Sequence, residues 1–455
     1  MTGPNRRMVL VGALAAIASP SLATQAPETL RAAPTTLRLL PDNAPETPVW
    51  AYGGGIPGPE IRLAQGDRLV RRFANDLPQG SSVHWHGIRL PNAMDGVAGV
   101  TQPVVASGQD FLYDFVVPDA GTYWYHPHNK TYEQMARGLY GPLIVDEPTP
   151  PAVDQDLTLM LDDWRLARDG SVAENFGMMH DLSHAGRIGN WVTVNGVQEL
   201  KTQAGRNARL RLRLINAANA RIFTLGMQGL EGWVLALDGM PLEQPTPAER
   251  IILAPAQRVD LIVDVTGDTE GVLYSVERGG GYALAAFAVS GNARASRLTP
   301  PGALVPNLMP DFAPLAQARV IDLPMMGGAM GRMQGARLKG KDLSIRELVR
   351  AGMVWSLAGT AGMPEQPLAN LDRGETVSIR IANDTAWPHA MHLHGHHFRE
   401  TGPDRTPGPW RDTLLVNRGE TRQITFVADN PGDWLLHCHM LEHAASGMMT
   451  WLRVS

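Results

Sequence analysis

Twelve of the fourteen histidines fall into four short clusters, and the single cysteine lies inside the last of them. The clusters are His84-Trp85-His86-Gly87, His126-Pro127-His128, the run from His389 through His392 and His394 to His396 and His397, and His437-Cys438-His439 followed by His443 and Met448. They contain five His-x-His pairs. Independent placement would give roughly 0.4, so chance does not account for them. Imidazole suits copper, zinc, iron and nickel, whereas a thiolate with two imidazoles and a distant thioether is the ligand set of a blue-copper electron-transfer centre. Cys438, His443, Met448 and one histidine of the third cluster can supply that set. Side chains alternate faces along a strand, so if Cys438 faces one way, His437 and His439 face the other. One tripeptide can then serve two metal centres and join them covalently. A lone cysteine also forbids an internal disulfide.

Short runs of alternating apolar and polar residues, bounded by Gly, Pro, Asn and Asp, recur along the chain, while helical periodicity is scarce. The fold class expected is all-β. A unit repeats at residues 64–75, 204–216 and 371–383, each time a Gly-containing turn that launches an alternating strand ending at Asn. A second unit, residues 111–125, leads to His126 and His128, and its counterpart at 424–436 leads to His437 and His439. The middle counterpart, residues 259–275, holds no histidine and reads as part of a spacer. Three homologous sandwich domains follow, in line with roughly one domain per 150 residues. We place them at residues 36–147, 152–290 and 341–455, with a loose Gly- and Met-rich connection over 291–340. A short helix is expected near 342–353.

Residues 1–23 read as an export signal: Arg6 and Arg7, an apolar run from Met8 to Ala18, then Ser21-Leu22-Ala23 as a cleavage pattern. The segment from Asn5 to Leu10 also resembles the twin-arginine signal, whose machinery exports folded, cofactor-loaded proteins. A periplasmic location is expected. No further stretch is apolar enough to span a bilayer. The net charge of -5, without a basic block, gives no reason to expect nucleic acid as a partner.

In order and spacing over about residues 40–455, the four clusters resemble the signature segments of the multicopper oxidases, the family of laccases, bilirubin oxidases and bacterial cuprous oxidases. The resemblance implies three tandem cupredoxin-like Greek-key sandwiches and four coppers per chain. It places a type 1 copper at His389, Cys438, His443 and axial Met448, and a type 2 copper at His84 and His392. One type 3 copper falls to His86, His126 and His439, and the other to His128, His394 and His437. Asp95, eleven residues after His84, matches the family's carboxylate near the trinuclear cluster, which serves proton delivery. Related bacterial enzymes often place Glu directly after the second type 1 histidine, where this chain has Ala444. Glu442 is either its substitute or a plain surface carboxylate. Axial methionine implies a moderate potential.

The implied activity is one-electron oxidation of phenols, aryl amines or metal ions coupled to four-electron reduction of O2, with four one-electron metals matching that stoichiometry. We expect a laccase-like enzyme acting as a monomer. A cuprous oxidase protecting the periplasm is the second version, and a copper carrier or cell-division scaffold the non-enzymatic one. Copper nitrite reductase lacks the paired His-x-His clusters. Met325, Met326, Met330 and Met333 read either as a cuprous docking loop or as flexible packing. His396 and His397 are expected to be exposed or behind the ligands, His180 and His184 solvated, and Trp85, Trp124 and Tyr125 core.

Overall fold

The computed structural model describes residues 27–277, 279–402 and 406–455. The export signal read at 1–23 lies outside the described residues. Three sandwiches follow one another. In the first, a sheet ordered Thr47–Tyr52, Glu28–Leu37, Arg68–Asn75, Asp110–Val116 faces one ordered Ile61–Ala64, Gly141–Asp146, Gly121–His126, His84–His86. Leu69, Phe73, Trp85, Tyr113 and Tyr125 fill the space between them. The second pairs a six-stranded with a five-stranded sheet around its own core of Leu210, Leu212, Leu214, Phe223 and Leu261. The third also has six and five strands, and its core is continuous with that of the first.

The repeated strands occupy the same place in each sandwich. Arg68–Asn75, Arg209–Asn216 and Thr376–Asn383 each pair in parallel with the strand that opens their sandwich. The terminal Asn is a buried clamp in all three. Asn75 Nδ2 donates to the carbonyls of Gln79 and Val105, Asn216 Nδ2 to those of Arg221 and Leu253, and Asn383 Nδ2 to those of Trp387 and Val416. Each Oδ1 accepts from the main chain two residues on, a local turn that Asn makes readily. The recurring Asn thus satisfies backbone groups where the chain leaves a strand.

The stretch read as a loose connection differs from expectation. Residues Arg319–Gly327 form the opening strand of the third sandwich, so that sandwich draws on chain upstream of 341. Its Leu323 and Met325 point inward, and only its parallel partner 58 residues downstream reveals it as a strand. Beyond it, the helix Ile345–Arg350 stands within the expected segment, with Glu347 accepting from the Ser344 backbone and hydroxyl at its start. Among the described residues no helix is long and apolar enough to cross a membrane.

Candidate metal centre

The strand Gly432–Cys438 runs beside His389–Leu393, pairing His437 with His392 and Cys438 with Met391. Alternation along it separates the two faces as the sequence predicts. On one face, Cys438 Sγ lies 3.6 Å from His389 Nδ1 and 3.8 Å from His443 Nδ1, and these two nitrogens are 3.1 Å apart. Met448 is buried in the same core, its carbonyl accepting from the Cys438 N–H. On the other face, His437 Nε2 lies 3.1 Å from His394 Nε2, and His439 Nε2 lies 3.4 Å from His126 Nε2.

The first sandwich brings its own pairs to that second face, because His84–His86 and Gly121–His126 are adjacent strands with His84 opposite His126. Three trios result, the first two sharing His86: His84, His86 and His392; His86, His126 and His439; His128, His394 and His437. Within each trio the donor atoms lie within 4.8 Å of one another, as they do in the His389, Cys438 and His443 group. Eleven of the twelve sequence-predicted donors therefore stand in two adjoining sets, and Met448 is buried in the same core as Cys438.

These residues fit metal. His84 Nε2, His86 Nδ1, His128 Nε2 and His392 Nε2 are buried lone-pair sites without a hydrogen-bond partner, a costly state for a polar atom that coordination relieves. The far ring nitrogens are held instead: His84 Nδ1 by the Asp95 carbonyl at 2.8 Å, and His392 Nδ1 by the Asp412 carbonyl at 2.9 Å. Burial, then mutual repulsion, keeps the imidazoles of His86, His126, His128, His389, His394 and His439 well below their usual range, hence neutral and able to coordinate. Burial pushes the Cys438 thiol up to about 12, so a bound cation must displace its proton to make the thiolate.

Asp95 lies at this centre, fully buried, its Oδ2 accepting from His394 Nδ1 at 2.9 Å and its Oδ1 3.2 Å from His84 Nδ1. A cavity of about 390 Å³ reaches His128 and His437, passing Lys130, Tyr132, Leu441 and Ala444. Its lining contains no carboxylate. Glu442 is no surface carboxylate: it is buried, accepts from Asn219 Nδ2 at 3.0 Å, and burial pushes its carboxyl up to about 7. Trp85 and Tyr125 pack in the first core, and Trp124 packs against His86 and His126.

His396 and His397 take the second of their two expected placements, buried behind the ligands, the former capping the His394 carbonyl through Nδ1. Other residues depart from the sequence reading. Met325 and Met333 are buried and Met326 half-buried, which leaves Met330, 76% exposed, as the one thioether of that segment offered to solvent. A four-thioether docking loop does not form, because residues up to Gly327 belong to a strand whose inward positions pack the core. His180 is exposed as expected, but it stacks on His184 at 4.2 Å, next to Trp387. This pair sits at the helix Met179–Ser183, whose following carbonyl, His184 O, accepts from His443 Nε2 at 2.7 Å. His389 Nε2 is 2.9 Å from Thr385 Oγ1. Both imidazoles beside Cys438 are thus sealed from solvent.

Sequence reasoning missed Asp412 and Arg258. Asp412 is buried, its Oδ1 3.3 Å from His86 Nε2, and it receives a two-pronged ion pair from Arg258 of the middle sandwich. Although burial opposes ionisation, Arg258 and His86 hold its carboxyl well below the usual range. No local motif marks either residue, since the contacts that join them to each other and to His86 span 154 and 326 positions.

Comparison with known proteins agrees with this construction. Family models described as multicopper oxidase match residues 35–150, 155–290 and 341–455. The chain is 33% identical over 434 residues to the multicopper oxidase MmcO of Mycobacterium tuberculosis, covering 88% of this chain and 82% of that protein. It is 29% identical to Laccase-1 of Botryotinia fuckeliana, covering 88% and 77% respectively. The crystal structure of Lac15 from a marine microbial metagenome superposes with a TM-score of 0.76 at 43% identity, over 94% of this chain and 100% of that one. A buried cysteine and two imidazoles joined through one strand to three imidazole trios, on three cupredoxin-like sandwiches, place the chain in the multicopper oxidase family of copper-dependent, O2-using oxidoreductases.

Proposed function

We propose that this protein is a laccase-like oxidase that takes single electrons from small phenols and aryl amines and passes them to O2. His389, Cys438, His443 and Met448 would hold the type 1 copper, His84 and His392 the type 2 copper, and His86, His126, His439 with His128, His394, His437 the type 3 pair. Bound copper supplies four one-electron centres, enough to store what O2 needs to become two waters. One observation carries the reading: Cys438 faces His389 and His443 while its neighbours His437 and His439 face the trios. The polypeptide itself therefore links the donor-oxidising and oxygen-reducing sides. Asp95 steadies His84 and His394 and is the carboxylate placed to relay protons there, while the cavity at His128 and His437 admits O2. Every group needed lies within one chain, so the active unit is a monomer.

Steady-state O2 uptake by copper-loaded protein with a dimethoxyphenol tests this. Four electrons should be consumed per O2 without released peroxide, and Cys438→Ser should abolish both the blue absorption and turnover. A colourless, inactive protein after copper loading would overturn the proposal.

A second reading, oxidation of cuprous ion, draws support from the sealed type 1 imidazoles. A metal ion can be oxidised without touching a ring edge, and His180, Met178, Met179 and Met330 are exposed on or near the covering helix. Cu(I) turnover that falls at least tenfold in a His180→Ala, Met330→Ala variant, with phenol turnover unchanged, would favour it. We further infer twin-arginine export to the periplasm from Arg6 and Arg7. Replacing both by Lys should leave the precursor in the cytoplasm, and unaltered export would exclude that route.

A further inference from the structure

The middle sandwich offers no imidazole to the metal centre, yet one of its side chains reaches it. Arg258 opens the strand Arg258–Val265 and is fully buried. Its guanidinium touches all three sandwiches. Nε donates to the Thr122 carbonyl of the first at 3.2 Å, Nη1 to Ala256 O at 3.2 Å, and Nη2 to Asp238 O at 2.9 Å within the second. Nη1 and Nη2 then grip Asp412 of the third at 2.8 and 2.5 Å. A planar fork suits a carboxylate in this way, and a lysine cannot reproduce it.

Asp412 passes that placement on to two rings. Its Oδ1 accepts from Thr413 Oγ1 at 2.8 Å and lies 3.3 Å from His86 Nε2, while its main-chain oxygen accepts from His392 Nδ1 at 2.9 Å. The two rings are stacked, centroids 3.8 Å apart and 18° between planes. A carboxylate accepting at His86 Nε2 fixes the hydrogen there and leaves Nδ1 as the lone pair. The carbonyl accepting at His392 Nδ1 leaves Nε2. Those are the two nitrogens that lie buried without partners. A single residue thus sets opposite tautomers on neighbouring rings.

The sequence makes room for this contact. Gly87, directly after His86, has φ +87, and a Cβ there would stand 2.3 Å from Arg258 Nη2 and 2.6 Å from Asp412 Oδ2. Only a glycine lets the His86 backbone lie flush against the ion pair.

We propose that Arg258 is a positioning residue for the trinuclear centre, acting through Asp412 to fix the ring orientation and tautomer with which His86 and His392 meet metal. The middle sandwich is then part of the oxygen-reducing apparatus rather than a spacer. The inference rests on His86 and His392 being metal-holding residues, and the experiment separates the two.

Arg258→Gln, Asp412→Asn, the double Arg258→Gln/Asp412→Asn variant and Arg258→Lys are purified with copper and compared by copper content, blue absorption, type 2 electron paramagnetic resonance and O2 turnover. The double variant leaves no buried charge unpaired, which protects its folding. Expected are wild-type blue absorption throughout, altered type 2 hyperfine parameters, and turnover lower by about 10- to 100-fold, the usual cost of losing a partner behind a metal ligand. Arg258→Lys should keep thermal stability near wild type yet share the altered resonance. A double variant with wild-type resonance and turnover overturns the proposal. So does loss of blue absorption in step with the cluster in every variant, which would mark Arg258 as merely structural. His86→Ala serves as the control: if it keeps an unaltered trinuclear signature, the ligand assignment fails instead.

Discussion

Glu442 shows how burial alone gives a residue a chemical identity its type does not suggest. Its Oε1 accepts from Asn219 while Oε2 has no partner, and burial pushes the carboxyl from 4.5 up to about 7. A carboxyl whose folded value is raised favours the folded state fully below 4.5 and loses that contribution progressively as pH rises to about 7. Glu442→Gln keeps an acceptor for Asn219 and removes the ionisation. Copper-free Glu442→Gln should therefore melt with the wild type at pH 4 and above it at pH 8, by about 2 to 3 kcal/mol from the size of the shift. Equal melting at both values would show that the buried carboxyl is solvated in solution. This role was not legible beforehand, since a Glu beside a histidine in sequence says nothing about enclosure. The copper-binding residue types were legible, because ligation demands particular atoms at particular spacings. What orients them, Asp412 and Arg258, was not, because an aspartate acquires that role only through a fold that brings distant chain against it.

Elements obey a similar division. Strand alternation and the triple repeat were readable because each sandwich buries one face of the same strand and ends it with the same Asn clamp. The strand Arg319–Gly327 escaped, since Pro, Met and Gly hide its alternation and its pairing is parallel and remote. The clamp can be tested where no metal interferes. Asn216→Ala orphans the carbonyls of Arg221 and Leu253 and the Ala218 N–H, and at about 1 to 3 kcal/mol per buried orphan the loss should total on the order of 3 kcal/mol. Denaturant unfolding should show it, with the blue absorption of the folded protein intact. A change below about 0.5 kcal/mol would mean that water replaces the amide.

At the scale of the whole molecule, neutral buried imidazoles make the metal-free protein acid-sensitive. Burial lowers His443 from 6.5 to about 4 and His437 to about 3. Unfolded chain then takes up protons below about 6.5 that the folded chain refuses, so stability falls as pH drops from there toward 4. Copper should raise stability across the whole range and leave the slope in place, because the folded rings bind no protons in either form while the coil still takes them up. Thermal melts of both forms between pH 7 and 4.5 check this, and a metal-free form whose melting does not change over that range would refute it.

The trios combine residues near 85 and 127 with residues near 393 and 438. A ribosome making this polypeptide therefore releases two imidazole pairs early that have nothing to cooperate with until the last stretch emerges. Any fragment cut short presents half-formed niches, too sparse in donors to seize copper firmly. Catalysis, unlike colour, thus becomes a mark carried only by molecules in which the first and third sandwiches have met.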